Sequence, residues 1–170
     1  AAGILDKWGF KPEAYDTNIY IPEGKVDEFS RKEIPYDDTF SINPGELGVD
    51  DWCMALDIDI NSDMGILLDK TISKLTETAG TRFRLKHILK GIHKFDFSDE
   101  TVKGLENRLE NAEDWGVFGE ESSLEKLSER AEMSIIDMSV FGEMSSGWSV
   151  RGLVVALISK KILRERMSAR

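Results

Sequence analysis

The chain has 170 residues, which fits one domain with a sizeable core, because a domain of that size buries about 70% of the surface that its unfolded chain exposes. A hydrophobic share of 41%, with four Trp and eight Phe, excludes a disordered chain, and a single cysteine, Cys53, excludes an intrachain disulfide. The net charge is −10, and because residues 151–170 carry +5, residues 1–150 carry −15. This negative charge opposes nucleic acid binding except at two local basic groups: the carboxyl-terminal end, or Arg82, Arg84, Lys86, Lys90 and Lys94.

Residues 1–49 are predicted to form a flank associated with a sheet. A short helical face comes first and consists of Ile4, Leu5 and Trp8. Residues 18–21, with the sequence NIYI, precede Pro22 and have the composition of a strand. After a polar, acidic loop, Phe40 and Ile42 alternate with polar neighbours before an Asn-Pro-Gly turn at 43–45.

Residues 50–130 are predicted to form a helical bundle inserted between two strand-bearing flanks. Asp50, Ser62 and Ser98 are typical N-cap residues, each followed by apolar residues at helical spacing. Gly80 is expected to end the second helix, and the last helix is expected to stop near Gly116. The apolar faces of the bundle include Trp52, Met64, Leu67, Leu68, Ile72, Leu85, Ile88, Ile92, Leu105, Leu109 and Ala112.

Residues 131–170 return to the strand-helix alternation of an α/β fold, which is the fold class we predict. Ile135 and Ile136 predict a short buried strand, and Ser149 is expected to be the N-cap of a long helix. An apolar stripe of that helix would pack on a sheet and comprises Val150, Leu153, Val154, Leu157, Ile158 and Ile162. The helical pattern runs to Arg170 without a Gly cap or a Pro stop, which indicates an element cut in its middle.

No membrane segment is expected. The longest strongly apolar run, residues 153–158, is far shorter than the roughly 18 residues that a bilayer-spanning helix needs. The first ten residues lack the basic and apolar segments of a signal peptide, and one cysteine suits a reducing compartment. These features predict a cytoplasmic protein.

Residues 142–149 differ from a phosphate-binding P-loop at one position. Gly142, Gly147 and Ser149 fit G-x-x-x-x-G-K-[ST], but Trp148 stands where a lysine should contact the β- and γ-phosphates. An indole cannot neutralise a triphosphate, and Glu143 adds a negative charge where backbone N–H groups would hold an anion. We therefore prefer an ordinary strand-loop-helix unit. The alternative, a degenerate nucleotide site, predicts weak ATP binding that a bulky change at Gly147 abolishes.

The residues that could bind a metal do not complete a motif. Residues 57–63 alternate Asp and Asn side chains like a calcium loop, but Ser62 and Leu68 occupy the positions of its Gly and its bidentate Glu. We interpret this stretch as a turn between helices with a capping residue. His87 and His93 are six residues apart, off one helical face and outside any Cys/His pattern, so we interpret them as surface residues.

Nucleophilic and acid-base motifs are equally incomplete. No G-x-S-x-G elbow is present, and the two histidines lack a nearby acidic signature. The acidic pairs at 50–51 and 120–121 lie in polar turns, where adjacent carboxylates are usually solvated. We assign no catalytic, cofactor-binding or metal-binding residue.

Arg151 is the most unusual charged residue, because a cation in the first turn of a helix opposes the helix dipole and needs a partner. Asp137, at the end of the preceding strand, is the partner we expect. A structural ion pair is preferred over a catalytic or subunit-bridging arginine. Asp137, Ser149 and Arg151 are therefore our candidates for structural or subunit-contact roles.

Several segments, taken in order, resemble the HerA-type archaeal ATPases of the HerA/FtsK superfamily. They are LDKWGFKPEAY, NIYIPEG, FSINPGELGVDDWCMALDID, MGILLDKTI, ENAEDWGVF, SIIDMS and GWSVRGLVVALISKKILRERMSAR. In that family they look like the region between the Walker A and Walker B strands, including its helical insertion. The resemblance implies a partial P-loop-type sheet: residues 1–49 and 131–170 would belong to the ATPase core, and residues 50–130 to the inserted bundle.

The resemblance also implies a function for the parent protein. That protein would be a homo-hexameric DNA helicase or translocase that uses ATP and magnesium, threads DNA through its ring and cooperates with a nuclease. The family's Walker A lysine and Walker B Asp-Glu pair would lie outside residues 1–170, so the chain alone would be catalytically silent. The other hypothesis is a free-standing acidic α/β module that binds a protein partner and has no enzymatic activity.

Overall fold

The computed structural model describes Gly9 and residues 15–124, 133–142 and 147–168. For residues 161, 162, 164–166 and 168 it describes the backbone only. The chain is mixed α/β, as predicted. The predicted helical face at Ile4, Leu5 and Trp8 lies outside the described residues.

Three parallel strands form the described sheet. They are β1 (Thr17–Pro22), β2 (Asp38–Phe40) and β3 (Met133–Ile136), in the order β2-β1-β3. The register places Ile21 beside Thr39 and Ile19 beside Ile135. The predictions of strands at 18–21 and at 135–136 are confirmed. The expected burial of β3 is wrong for Ile135, which is 41% exposed, because Met133 and Ile135 point to one face of the strand and this face is only partly covered.

Six helices and three short 3-10 turns complete the described part of the chain. The helices are α1 (Val26–Arg31), α2 (Val49–Leu56), α3 (Asp63–Ala79), α4 (Leu85–Ile92), α5 (Asp99–Glu113) and α6 (Gly147–Ser168). The 3-10 turns are Glu23–Lys25, Pro44–Glu46 and Ser139–Gly142. Helices α2 to α5 follow one another between β2 and β3, where the inserted bundle was expected.

The helix caps test the predicted boundaries. Ser62 and Ser98 are confirmed, because their hydroxyls accept hydrogen bonds from the N–H groups of Gly65 and Thr101, both at 3.2 Å. Asp50 is not the cap of α2. That helix begins one residue earlier, after Gly48, whose N–H donates to the Asp51 carboxylate at 3.0 Å.

Backbone pairing beyond β2 joins the two ends of the bundle to the sheet. The Ile42 N–H donates to the Val117 carbonyl at 2.8 Å, and the Gly119 N–H donates to the Ile42 carbonyl at 3.0 Å. Nearby, the Gly24 N–H donates to the Gly116 carbonyl at 2.9 Å. A Cβ on Gly24 would lie 2.7 Å from the Gly116 Cα, so this close approach of two backbones requires glycine.

One hydrophobic core extends from the sheet through the bundle to α6. Its largest fully buried side chains are Trp52, Trp115, Tyr20, Phe29, Phe40 and Phe141. Helix α6 buries Val150, Leu153, Val154 and Leu157, and it packs on α2. An ion pair between Lys160 Nζ and Asp51 Oδ2 at 2.9 Å joins the same two helices.

Candidate site at the carboxyl end of the sheet

The topology of the sheet makes the region beyond the carboxyl ends of β1 and β3 the best-placed position for a site. The chain leaves β1 towards β2 on one side, whereas β3 lies on the other side of β1. In open parallel sheets, ligands bind where neighbouring strands continue in opposite directions. Asp137, Ser149 and Arg151 all follow β3, either in its loop or in the first turns of α6.

Asp137 is fixed by local backbone contacts. Its N–H continues the strand pairing by donating to the Tyr20 carbonyl at 2.9 Å. Its carboxylate oxygen Oδ1 accepts a hydrogen bond from the Ser139 N–H at 2.8 Å. This contact between residues i and i+2 is the Asx turn that aspartate forms in loops, and it explains why the strand ends here.

Arg151 lies beside the same loop but does not pair with Asp137. Its Nη2 donates to the Met138 carbonyl at 3.5 Å, and its guanidinium carbon lies 5.7 Å from the centroid of the Trp148 ring. The Nε of Arg151 is buried and makes no hydrogen bond. No ion pair joins these two described residues, so the predicted Asp137–Arg151 salt bridge is corrected: the carboxylate is turned to the nearest backbone donor, Ser139.

Ser149 is not the N-cap of the long helix. Helix α6 begins at Gly147, so Ser149 lies inside its first turn and is half-buried. At this start of the helix, Gly147 lies against the preceding 3-10 turn. A Cβ there would lie 1.9 Å from the Phe141 carbonyl oxygen.

In the segment that resembles a P-loop, packing explains why residue 147 is a glycine. Gly147 admits a backbone contact that any side chain would obstruct. Trp148, at the position of the phosphate-binding lysine, is 83% exposed. Residues 143–146, with Glu143, lie outside the described residues.

A second concavity lies at the start of α4 and was not predicted. It is a cleft of about 280 Å³ whose lining includes Arg84, Lys86, Glu113, Phe118 and Glu120. Arg84 and Glu120 form an ion pair at its edge, and Glu120 is exposed, as expected of a surface residue. Two cations and two carboxylates leave the cleft without a net charge that would select an ionic ligand.

The two histidines have structural partners. His87 Nδ1 accepts a hydrogen bond from the Arg84 N–H at 2.9 Å, which satisfies a backbone donor at the start of α4. His93 Nε2 lies 3.1 Å from a carboxylate oxygen of Glu106 on α5. The interpretation as surface residues is right for His93, which is exposed, while His87 is half-buried.

The acidic stretch 57–63 is the expected turn between helices. The Asp59 carboxylate accepts from the Asn61 N–H at 2.9 Å, and the Ser62 hydroxyl caps α3. Asp57 adopts a left-handed conformation with φ of 53°. In the described ranges, no group of three or more His, Cys, Asp or Glu side chains is arranged to hold a metal ion.

Cys53 is buried in α2. Burial raises the pKa of its thiol, and the nearby carboxylates of Asp50, Asp69 and Asp59 raise it further. A thiol with a raised pKa is a poor nucleophile, so this cysteine belongs to the core.

Comparisons with protein-family models, with curated proteins and with solved structures find no match. No helix in the described ranges is both long and apolar enough to cross a membrane.

Proposed function

We propose that the chain is part of a subunit of an ATP-driven, HerA-like DNA translocase, in which it scaffolds the sheet and subunit contacts. The observation that carries the proposal is an incompletely covered face of β3. Parallel sheets are normally covered on both faces. Here the side chains of Met133 and Ile135 on β3 are 44% and 41% exposed, which is apolar surface suited to further protein.

The order of elements supports the same proposal. A helical bundle stands between β2 and β3 of one parallel sheet, and a long helix follows β3. The resemblance to HerA-type ATPases implies this arrangement between the Walker A and Walker B strands. ATP, magnesium, DNA, a nuclease partner, the hexamer and a cytoplasmic location belong to the parent protein in this proposal.

Arg151 is the residue we would assign to a subunit contact. Its guanidinium has no carboxylate partner among the described residues, and its buried Nε makes no hydrogen bond. A carboxylate of a neighbouring subunit would pair with the guanidinium through its Nη atoms, since the buried Nε is out of its reach. Asp137 and Ser149 line the same loop and helix start and would position it.

The alternative is a protein-interaction module without enzymatic activity. It is favoured by the exposed apolar side chains along α6, which are Trp148, Val155, Leu163 and Met167. Surface residues of this kind in one region mark protein contacts. The two proposals differ in whether ATP hydrolysis accompanies the complete gene product.

The experiment is to express the complete open reading frame that encodes this chain and to measure ATP hydrolysis with and without duplex DNA. The 170-residue chain and an Arg151→Ala variant of the complete protein serve as matched samples. We expect DNA-stimulated turnover by the complete protein, none by the chain alone, and loss of turnover with impaired ring formation in the variant. Turnover by the isolated chain, or none by the complete protein, contradicts the proposal. The second result supports the interaction module.

A further inference from the structure

The outer face of α4 carries a row of unpaired cations. Lys86 and Lys90 lie on the side of the helix opposite to the buried Leu85 and Ile88, and Lys94 lies four residues further on, in the turn that follows α4. All three are exposed, and none makes an ion pair or a side-chain hydrogen bond with another described residue. We call these three residues the basic row.

The outer face of α5 carries carboxylates at the same spacing. Glu106 and Glu110 lie on α5, beside the buried Leu105 and Leu109, and Asp114 is the C-cap residue that follows the helix. Glu106 is bonded to His93, whereas Glu110 and Asp114 are exposed and make no contact with a described cation. We call these three residues the acidic row.

The two rows lie side by side with matching repeats. Helices α4 and α5 pack on each other, and packed helices have axes about 8–10 Å apart. Four residues of α-helix advance about 6 Å, so each row presents a charge at about this interval. The contact between His93 and Glu106, and the cleft that Lys86 and Glu113 both line, place the two rows next to each other.

This neighbouring negative strip opposes nucleic acid as the occupant. The separation of the rows is about one Debye length at physiological salt, so phosphates that approach the basic row also meet the carboxylates of the acidic row. Near the basic row, the aromatic residues Phe95 and Phe97 are half-buried, and so are not free platforms for bases. A partner with both signs of charge fits this surface better.

We propose that the surface binds a second copy of this chain. A two-fold axis between the copies brings each basic row onto the partner's acidic row, so that both strips are satisfied in the same contact. Because exposed ion pairs are weak and screened by salt, the dimer is salt-sensitive. This contact does not depend on the proposed function.

The test is sedimentation equilibrium of the 170-residue chain at low salt, about 20 mM NaCl, and at about 500 mM NaCl, where charges are screened. We expect the mass to rise towards twice that of the monomer with protein concentration at low salt, and the dissociation constant to increase about tenfold or more at high salt. A monomer at all concentrations up to about 1 mM overturns the proposal.

Charge reversals identify the surface. The variants Lys86→Glu/Lys90→Glu and Glu110→Lys/Asp114→Lys should each remain monomeric, because each then presents five charges of one sign and one of the other on the two rows. Mixed in equal amounts, they should form a heterodimer, since one carries mainly carboxylates and the other mainly cations on this face. The control Arg31→Glu/Lys32→Glu, at the end of α1, changes the net charge by the same amount as the lysine variant. It breaks the ion pair between Lys32 and Glu28, so its fold is verified separately, and it should dimerise like the original chain.

Circular dichroism of each variant verifies that the exposed substitutions leave the fold intact. If each reversal stays monomeric and the mixture also fails to associate, the complementary rows are not the contact and the proposal is wrong. Fluorescence anisotropy of a labelled 20-base-pair duplex tests the rival occupant. Duplex binding at low salt that Lys86→Glu/Lys90→Glu abolishes, with no self-association of the original chain, assigns the face to nucleic acid instead.

Discussion

Replacing Gly147 with Ala should destabilise the chain because of one close backbone approach. The added Cβ would lie 1.9 Å from the Phe141 carbonyl oxygen, more than 1 Å inside normal contact, so α6 or the preceding turn must shift. Overpacking of this kind costs about 1–3 kcal/mol. With a urea slope of about 2 kcal/mol/M, the unfolding midpoint should fall by about 0.5–1.5 M.

Gly152→Ala on the same helix is the matched control. Its Cβ would meet no atom within 4 Å, and alanine is favoured over glycine inside a helix by about 0.5–1 kcal/mol. Its midpoint should therefore rise by about 0.25–0.5 M. Urea unfolding monitored by tryptophan fluorescence measures both variants.

An unchanged or raised midpoint for Gly147→Ala would refute the reasoning, because it would mean that the glycine is not required by the contact with Phe141. The same variant tests the degenerate nucleotide site. If the original chain binds ATP, and Gly147→Ala binds it equally well while remaining folded, the loop is not a nucleotide site.

Three further predictions concern single side chains. Trp52→Phe should change the free energy of unfolding by less than about 1.5 kcal/mol, although the indole is completely buried. The Nε1 hydrogen has no acceptor, so its removal relieves a buried unpaired donor. Urea unfolding measures the change, and a larger loss of stability would indicate that Nε1 has an acceptor. Cys53 should react with a thiol reagent at pH 8 only as fast as the chain unfolds, because the side chain is buried and burial raises the pKa of its thiol. Rapid reaction in the folded state would contradict this burial. Hydrogen bonding by Lys32 lowers the pKa of Glu28, so this carboxylate stabilises the folded state above its unfolded pKa, and the stabilisation is lost as the pH falls through the lower folded pKa. In Lys32→Met, the melting temperature should therefore depend less on pH between about pH 5 and pH 3. An unchanged pH dependence would show that the pair contributes nothing to stability.

The parts of the fold that the sequence predicted depend on neighbours in the chain. Ser62 and Ser98 cap their helices because a hydroxyl reaches an N–H three residues ahead, and this geometry needs no tertiary contact. Asp50 was mistaken for a cap because the adjacent Asp51 performs a related role by accepting from Gly48. Two neighbouring carboxylates give the same composition signal, and only the backbone conformation separates them.

The parts that it did not predict depend on distant partners. Arg84 and Glu120 lie 36 positions apart and meet only because the chain returns from α5 to pair with the continuation of β2. The apolar run at Ile135 indicated a strand but not its place in the sheet, because an edge strand and a central strand can have the same composition. Burial and long-range pairing are decided by topology, which local patterns do not contain.

The loop after β3 contains both a contact between near neighbours in the chain and a charged residue whose surroundings depend on distant parts of the chain. Asp137 and Arg151 are opposite charges close to one another in the fold, yet the carboxylate bonds to Ser139, two residues away, because a fixed local N–H requires no ordering of a long side chain. Arg151 is left with a buried Nε that costs about 1–3 kcal/mol. A cation–π contact with the exposed Trp148 ring stabilises it by about 0.5–1 kcal/mol, and its hydrogen bond to the Met138 carbonyl is long. The contacts of this arginine within the described residues therefore do not balance its cost, and its position is set by the packing of α6 against the preceding loop rather than by the ion pair that the sequence predicted.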